Sequence, residues 1–221
     1  MAGEEPDDAG TSCIEAFCAF DTGHDLSPRF WHASDTPFEN DEARCDPSSP
    51  ILPFLTPDLT ANVICRRRYL AKIAVELGKS GTEWEEKAEA GPAGLFEHCF
   101  DAEDGFSYDR GKNDQLVRVQ SDVLLRVLAC EIGGRDNLAA LARYLLCMHK
   151  LYAKYPFTSI AMDDPRFHQE YEQNSWAGPT NSLSLVRTPH AFDHHERQVE
   201  LTWVICPILS SLLTQMGIHL S

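Results

Sequence analysis

The sequence predicts an all-α domain of helical hairpins closed into part of a toroid, and three observations predict it. Apolar residues recur at helical spacing, tight glycine-marked links alternate with long polar and aromatic loops, and runs with strand alternation are almost absent. A chain of 221 residues with 43% hydrophobic content is long enough to bury one substantial core. A plain helical bundle satisfies the same pattern and stays open at this point.

The elements follow in order. Residues 1–12, "MAGEEPDDAGTS", are acidic and are expected to be disordered, with the folded domain running from 13 to 221. Ser34 to Pro57 carries five prolines, which precludes a long helix and predicts an extended loop. "TPDLTANVICRRRYLAKIAVELG" then opens on Thr56-Pro57-Asp58, repeats apolar residues at Leu59, Val63, Leu70, Ile73 and Leu77, and stops at Gly78. A second helix starts at Thr82, where Thr82 and Glu85 have capping-box spacing, and Gly91-Pro92 is expected to interrupt it. Phe106 to Asp109 suggests a short hairpin arm. Further helices are expected at about Ser121–Glu131 and Asp136–Tyr152, after Pro179, and from about Phe192 to Thr214.

Composition narrows the partners. Thirty-four acidic against 19 basic residues give a formal charge of -15, which argues against nucleic acid and against an anionic membrane surface. The longest apolar run, "LTWVICPILSSLL", contains Pro207 and is shorter than the roughly 20 residues that span a bilayer. Eight cysteines without a C-x-x-C pair favour a reducing compartment, and the acidic start lacks a signal-peptide pattern, so a cytoplasmic location is expected.

Three segments concentrate chemistry. "DTGHDLSPRFW" holds Asp25, Arg29 and Trp31, the acid, hydroxyl donor and aromatic face that sugar cleavage uses. The same residues equally serve as a turn cap, a surface ion pair and a core aromatic. "SWAGPTN" places Trp176 and a tight turn before a helix, with Asn181 near its first turn. "RTPHAFDHHER" brings His190 and His194 to i, i+4 spacing beside His195, but it lacks H-E-x-x-H and a third ligand, so no metal is expected. With no glycine-rich phosphate loop, no cofactor is expected either.

In their order, these segments resemble the catalytic domain of (α/α)6 glycoside hydrolases: family 63, the family 37 trehalases and the mannosylglycerate hydrolase-like group. "TGHDLSPRFW" is similar to the family's S-G-x-D-x-S-P-R-W, "SWAGPTN" to its W-x-G-P, and "FDAEDGFSYD" to its W-D-x-E-x-G-F-F-Y-D. "DLTANVICRRRYLAKIAVELG" resembles the helix that follows the acid loop. The likeness runs from about Asp21 to Thr214.

The resemblance implies a six-hairpin toroid and an inverting hydrolase of an α-glucoside or α-mannoside, with Asp25 as general acid. It implies Arg29, Trp31, Trp176 and Asn181 as substrate-binding groups, with His190, His194 and His195 as neighbours. Thr22, His24, Ala177 and Glu196 depart from the family's pattern. The family's general base lies beyond the segment matching Phe192–Thr214, and "TQMGIHLS" holds no such motif, so a fragment is expected. Glu170, Glu172, Glu196 and Glu200 are the substitutes within reach in sequence. Six hairpins need about twelve helices and the pattern supplies roughly six, so the toroid is expected to be partial and to associate through uncovered helical faces. The alternative reading is a non-catalytic carbohydrate-binding or helical interaction module.

Overall fold

A computed structural model describes residues 13–17, 19–24, 27–30, 53–134, 139–168 and 176–217. The acidic start, Asp25, Trp31, most of the proline-rich loop, Glu170 and Glu172 lie outside the described residues.

Helix α1 spans Pro57–Glu76, with Pro57 in the first turn where a missing N–H costs nothing. It ends in a left-handed Gly78 (φ 67°), with Gly78 N–H donating to Val75 O at 2.9 Å and Lys79 N–H to Ala74 O at 2.8 Å, a Schellman closure. Helix α2, Thr82–Cys99, returns antiparallel and passes unbroken through Gly91-Pro92, against expectation. The reason is the crossing itself. A Cβ on Gly91 would stand 2.4 Å from Ile64 Cγ1, so glycine lets α2 lie close on α1 and bury Ala88 and Leu95 against Ala61 and Ile64. That packing offsets the lost backbone bond at Pro92. The capping box does not form either: Thr82 is already helical, and the amides of Trp84 and Glu85 bond to Gly81 O at 3.1 Å.

Helix α3, Val123–Ala129, is buried along its length up to Leu128 and lies between the two hydrophobic clusters. Leu124, Leu125 and Leu128 join the larger one, with Phe106, Tyr144, Phe157 and Phe192, while Val123 and Val127 join the smaller one under α1 and α2. Each such fully buried Leu or Phe contributes about 1.5–3 kcal/mol.

Two further expected helices are shorter than their apolar pattern. In place of one ending at Tyr152, a π-helical stretch covers Leu141–Leu145. There Tyr144 Oη donates to Asp104 O at 2.6 Å and Arg143 Nη1 to the same carbonyl at 2.9 Å, so side-chain anchors replace the next helical turn. The single helix expected over Phe192–Thr214 is two, Thr188–His194 and Gln198–Gln215. Glu196 takes φ 57° between them and closes a second Schellman pair, its N–H donating to Asp193 O and that of Arg197 to Phe192 O. Within the last helix Pro207 leaves the Trp203 carbonyl free, and Tyr152 Oη donates to it at 3.3 Å.

Strands are also present. β1 (Glu15–Ala16), β2 (Phe54–Leu55), β5 (Asp109–Gly111) and β6 (Leu116–Val117) form an antiparallel sheet in that order. β3 (Phe100–Asp101) and β4 (Phe106–Ser107) form the expected hairpin arm, turned at Gly105 (φ 66°). The sheet matters because β2 leads into the first turn of α1 while its neighbour β5 begins with Asp109. Among the described residues no helix is long and apolar enough to cross a membrane.

Candidate active site

The turn Pro28–Phe30 carries Arg29 into the interior, where it is 1% exposed. Its Nε donates to Asp109 Oδ2 at 2.7 Å and its Nη2 to Asp109 Oδ1 at 2.5 Å. Nη2 also donates to Asp58 Oδ1 at 2.9 Å and Thr56 Oγ1 at 3.0 Å, and Nη1 to Asp58 Oδ2 at 3.2 Å. The sixth contact is Nη1 to His24 Nδ1 at 2.6 Å. All five guanidinium N–H donors thus have protein acceptors, so Arg29 organises the site instead of offering a free donor.

Around this centre the chain gathers Asp122 and Arg126 from α3 and its start, Ser184 from the Ser182–Leu185 helix, and Trp176. Ser184 Oγ donates to Asp122 Oδ2. Trp176 is 1% exposed, with its ring 4.4 Å from that of His24 and 4.8 Å from the Arg126 guanidinium carbon. Its turn is fixed by Gly178, whose N–H donates to Ser159 Oγ at 2.8 Å; a Cβ there would meet His168 O at 2.1 Å.

Four buried polar atoms of this group have no hydrogen-bond partner among the described residues: His24 Nε2, Asp122 Oδ1, Arg126 Nε and Trp176 Nε1. Leaving one such atom unsatisfied costs about 1–3 kcal/mol. His24 Nε2 and Asp122 Oδ1 face each other at 3.4 Å and Arg126 Nε lies 3.7 Å from Asp122 Oδ2, each just beyond a well-formed hydrogen bond, which leaves Trp176 Nε1 as the buried donor with no acceptor beside it among the described residues.

Three carboxylates face two arginines, and their proton affinities diverge. Burial pushes all three upward. At Asp58 this is outweighed by Arg29, with His24 and Arg126, and its pKa falls below the carboxylate range. At Asp109 and Asp122 burial prevails over Arg29 and Arg126 respectively, and both pKa values are raised. One guanidinium shared between Asp58 and Asp109 cannot hold both as low as a dedicated partner would. Burial, reinforced by Arg126 and Arg29, lowers His24 well below its ordinary 6.5, so the imidazole is neutral at neutral pH.

This arrangement sets a pH dependence. The folded state takes a proton on His24 less readily than the unfolded chain, so the stability is complete above 6.5 and declines as pH falls below it. Asp58 adds stability that is present above 3.8 and lost below. Asp109 and Asp122, being raised, act in the opposite sense on the acid side. The melting temperature is therefore expected to fall between about pH 7.5 and about pH 5, and to fall less in His24→Gln. The lowered His195 remains in that variant and keeps part of the slope. Equal slopes in a thermal-melt series would contradict the account.

Of the residues singled out in sequence, the structure brings Arg29 and Trp176 into one cluster through His24. Asn181 Oδ1 accepts from Leu183 N–H at 2.8 Å and so starts the Ser182–Leu185 helix. His190 and His194 stand on the exposed side of the next helix, His190 Nε2 lying 3.1 Å from Glu131 Oε1 and the two rings 6.3 Å apart. Their contacts among the described residues do not reach the cluster. His195 is buried, with Nε2 3.3 Å from Leu128 O. No group of three or more metal-ligating side chains occurs among the described residues. Glu200 lies 3.3 Å from Arg197, and Glu196 is exposed at the helix break.

Sequence reasoning missed Asp58, Asp109, Asp122, Arg126 and His24 as site residues. Three of them left a signal: Arg126 as a charge inside the apolar run "VLLRVLA", Asp109 as the last residue of "FDAEDGFSYD", and His24 as a departure from the family's pattern.

Solved structures match this arrangement of helical hairpins around a buried polar centre. Family 63 mannosylglycerate hydrolase from Thermus thermophilus in complex with Tris and D-glycerate superposes with TM-score 0.77 at 17% identity, covering 95% of this chain and 59% of that one. The same enzyme with glucose gives 0.76 at 20% identity, covering 94% and 55%. Neutral trehalase from Saccharomyces cerevisiae gives 0.61 at 12%, covering 85% and 36%. The fold is therefore a partial (α/α)6 toroid, and the chain spans somewhat over half the length of the Thermus relatives. No curated protein matches. The family model for the mannosylglycerate hydrolase MGH1-like glycoside hydrolase domain matches residues 6–181, and the chain belongs to that family.

Proposed function

We propose that this domain provides the acid side of an inverting α-glycosidase site, with Asp25 protonating the glycosidic oxygen of an α-mannoside or α-glucoside. The observation that carries the reading is the frame on either side of Asp25. His24 O accepts from Ser27 N–H at 3.0 Å, and both residues are buried, as is Arg29 just beyond. A chain held this firmly just before and just after Asp25 supports the positional control that proton donation to a leaving group needs.

An acid working near neutral pH needs a carboxyl that holds its proton, and buried surroundings are the usual means of obtaining one. In this reading Trp176 shapes the sugar subsite and Arg29 holds its frame, while the substrate-side roles that the resemblance implies for Trp31, Asn181, His190 and His194 are left to mutagenesis, His190 and His194 having contacts that do not reach the cluster. In an inverting enzyme the base stands about 6.5–9.5 Å from the acid, with water between it and the sugar. The Thermus relative, named a mannosylglycerate hydrolase, makes mannosyl- and glucosylglycerate the first substrates to try, with trehalose next. Cys65, Cys99, Cys130, Cys147 and Cys206 form no disulfide, which suits the cytoplasmic location read from the sequence. Self-association would use the exposed Val199, Trp203 and Leu209.

The test is proton NMR of the sugar released from each glycoside. Inversion predicts the β-anomer as first product. Release of the α-anomer rejects the mechanism. Sugar binding without release, weakened by Trp176→Ala, would establish the non-catalytic binding module instead.

A further inference from the structure

His24 occupies a position where the sequence departs from the family's pattern, and the structure gives it a specific role. It is fully buried and immediately precedes Asp25. The Arg29 guanidinium has only donors, so the 2.6 Å contact makes His24 Nδ1 an acceptor and leaves the ring proton on Nε2. Nε2 then faces Asp122 Oδ1 at 3.4 Å, and Asp122 is itself anchored by Ser184. One face of the ring environment is Trp176, tilted at 41°.

The imidazole thus links the Pro28–Phe30 turn, α1 through Asp58 4.0 Å away, the start of α3 and the Trp176 turn. The charged groups acting on it from these elements are Arg29, Asp58, Asp122, Arg126 and Arg187. An apolar side chain would fill the space but could neither accept from Arg29 nor donate toward Asp122.

We propose that His24, as an Nε2–H imidazole set between Arg29 and Asp122, is a positioning residue that ties the Pro28–Phe30 turn to the start of α3 and to the Trp176 turn. The proposal rests on the assignment of Asp25 as the acid. A misplacement of about 1 Å costs on the order of 10²-fold in rate, which sets the size of effect to expect from losing the link.

Two measurements on the full chain test it. Long-range proton–nitrogen NMR should show His24 with a pyridine-like Nδ1 and a protonated Nε2, unchanged from about pH 7.5 to about pH 5.5, where a free imidazole takes up a proton. Asp122→Asn should shift those His24 signals. In steady-state kinetics on the glycoside turned over, His24→Leu should lower kcat on the order of 10²-fold with little change in KM, and His24→Gln should recover about tenfold of it. An imidazole that titrates freely, the opposite tautomer, or wild-type kcat in His24→Leu would overturn the proposal. If His24→Leu does not fold, His24→Gln and the NMR signature decide. If the wild-type chain turns over no glycoside, the proposed reaction falls, and the positioning role stands or falls on the His24 signature alone.

Discussion

Asp25→Asn is expected to lower the hydrolysis rate by about 10²–10⁴-fold while leaving sugar affinity close to wild type. Asparagine keeps the shape and a hydrogen-bonding amide but has no proton to give to the leaving oxygen. The loss should therefore depend on the leaving group. A natural glycoside departs as a strongly basic alkoxide and needs the acid, whereas an activated aryl glycoside departs as a stabilised phenolate and needs it far less. Kinetics of the variant on both substrate types checks this. Equal losses on the two, or a variant as fast as wild type, would remove Asp25 from the acid role.

The second large effect is on stability. Arg29 is the cation bonded to both Asp58 and Asp109, and all three side chains are 3% exposed or less. Arg29→Met should destabilise the domain by about 3–5 kcal/mol, because two buried carboxylates lose their shared countercharge. For a domain of this size each kcal/mol shifts the melting temperature by about 2–4 °C. Adding Asp109→Asn should restore part of the loss, since it removes one of the stranded charges, and calorimetry of single and double variants measures the recovery. A near-wild-type melting point for Arg29→Met would show that the network contributes little.

Much of the architecture was legible in the sequence because it follows from local signals. Gly78 marks the end of α1, and apolar spacing placed α1 and α2 where they occur. The errors have tertiary causes. Gly91-Pro92 reads as a breaker until Ile64 is seen lying against Gly91 across the hairpin. Strands of two or three residues, such as β1 and β2, have too little length to show alternation. Glu196 stands out in the sequence as a departure from the family's pattern, and the helix breaks there in a left-handed turn.

The site divides the same way. Arg29 and Trp176 were visible because their motifs are contiguous in sequence. The partners that decide their chemistry are not: Asp58 and Asp109 lie 29 and 80 residues from Arg29, and only the sheet and first turn of α1 bring them together. Asp58 read as a helix-start residue and Asp109 as part of a turn, and each is that locally. Nothing local distinguishes a carboxylate on the surface from one that the fold later buries.

A carbohydrate site at this cluster is read out by the proton–nitrogen NMR spectrum of tryptophan side-chain N–H groups during titration with glucose and then glycerate. The Trp176 Nε1–H signal is expected to move, since that donor is buried without a partner among the described residues at the proposed subsite, while the exposed Trp84 and Trp203 stay in place. Movement of Trp84 or Trp203 alone, or no movement at saturating sugar, would contradict the placement of a carbohydrate site at this cluster.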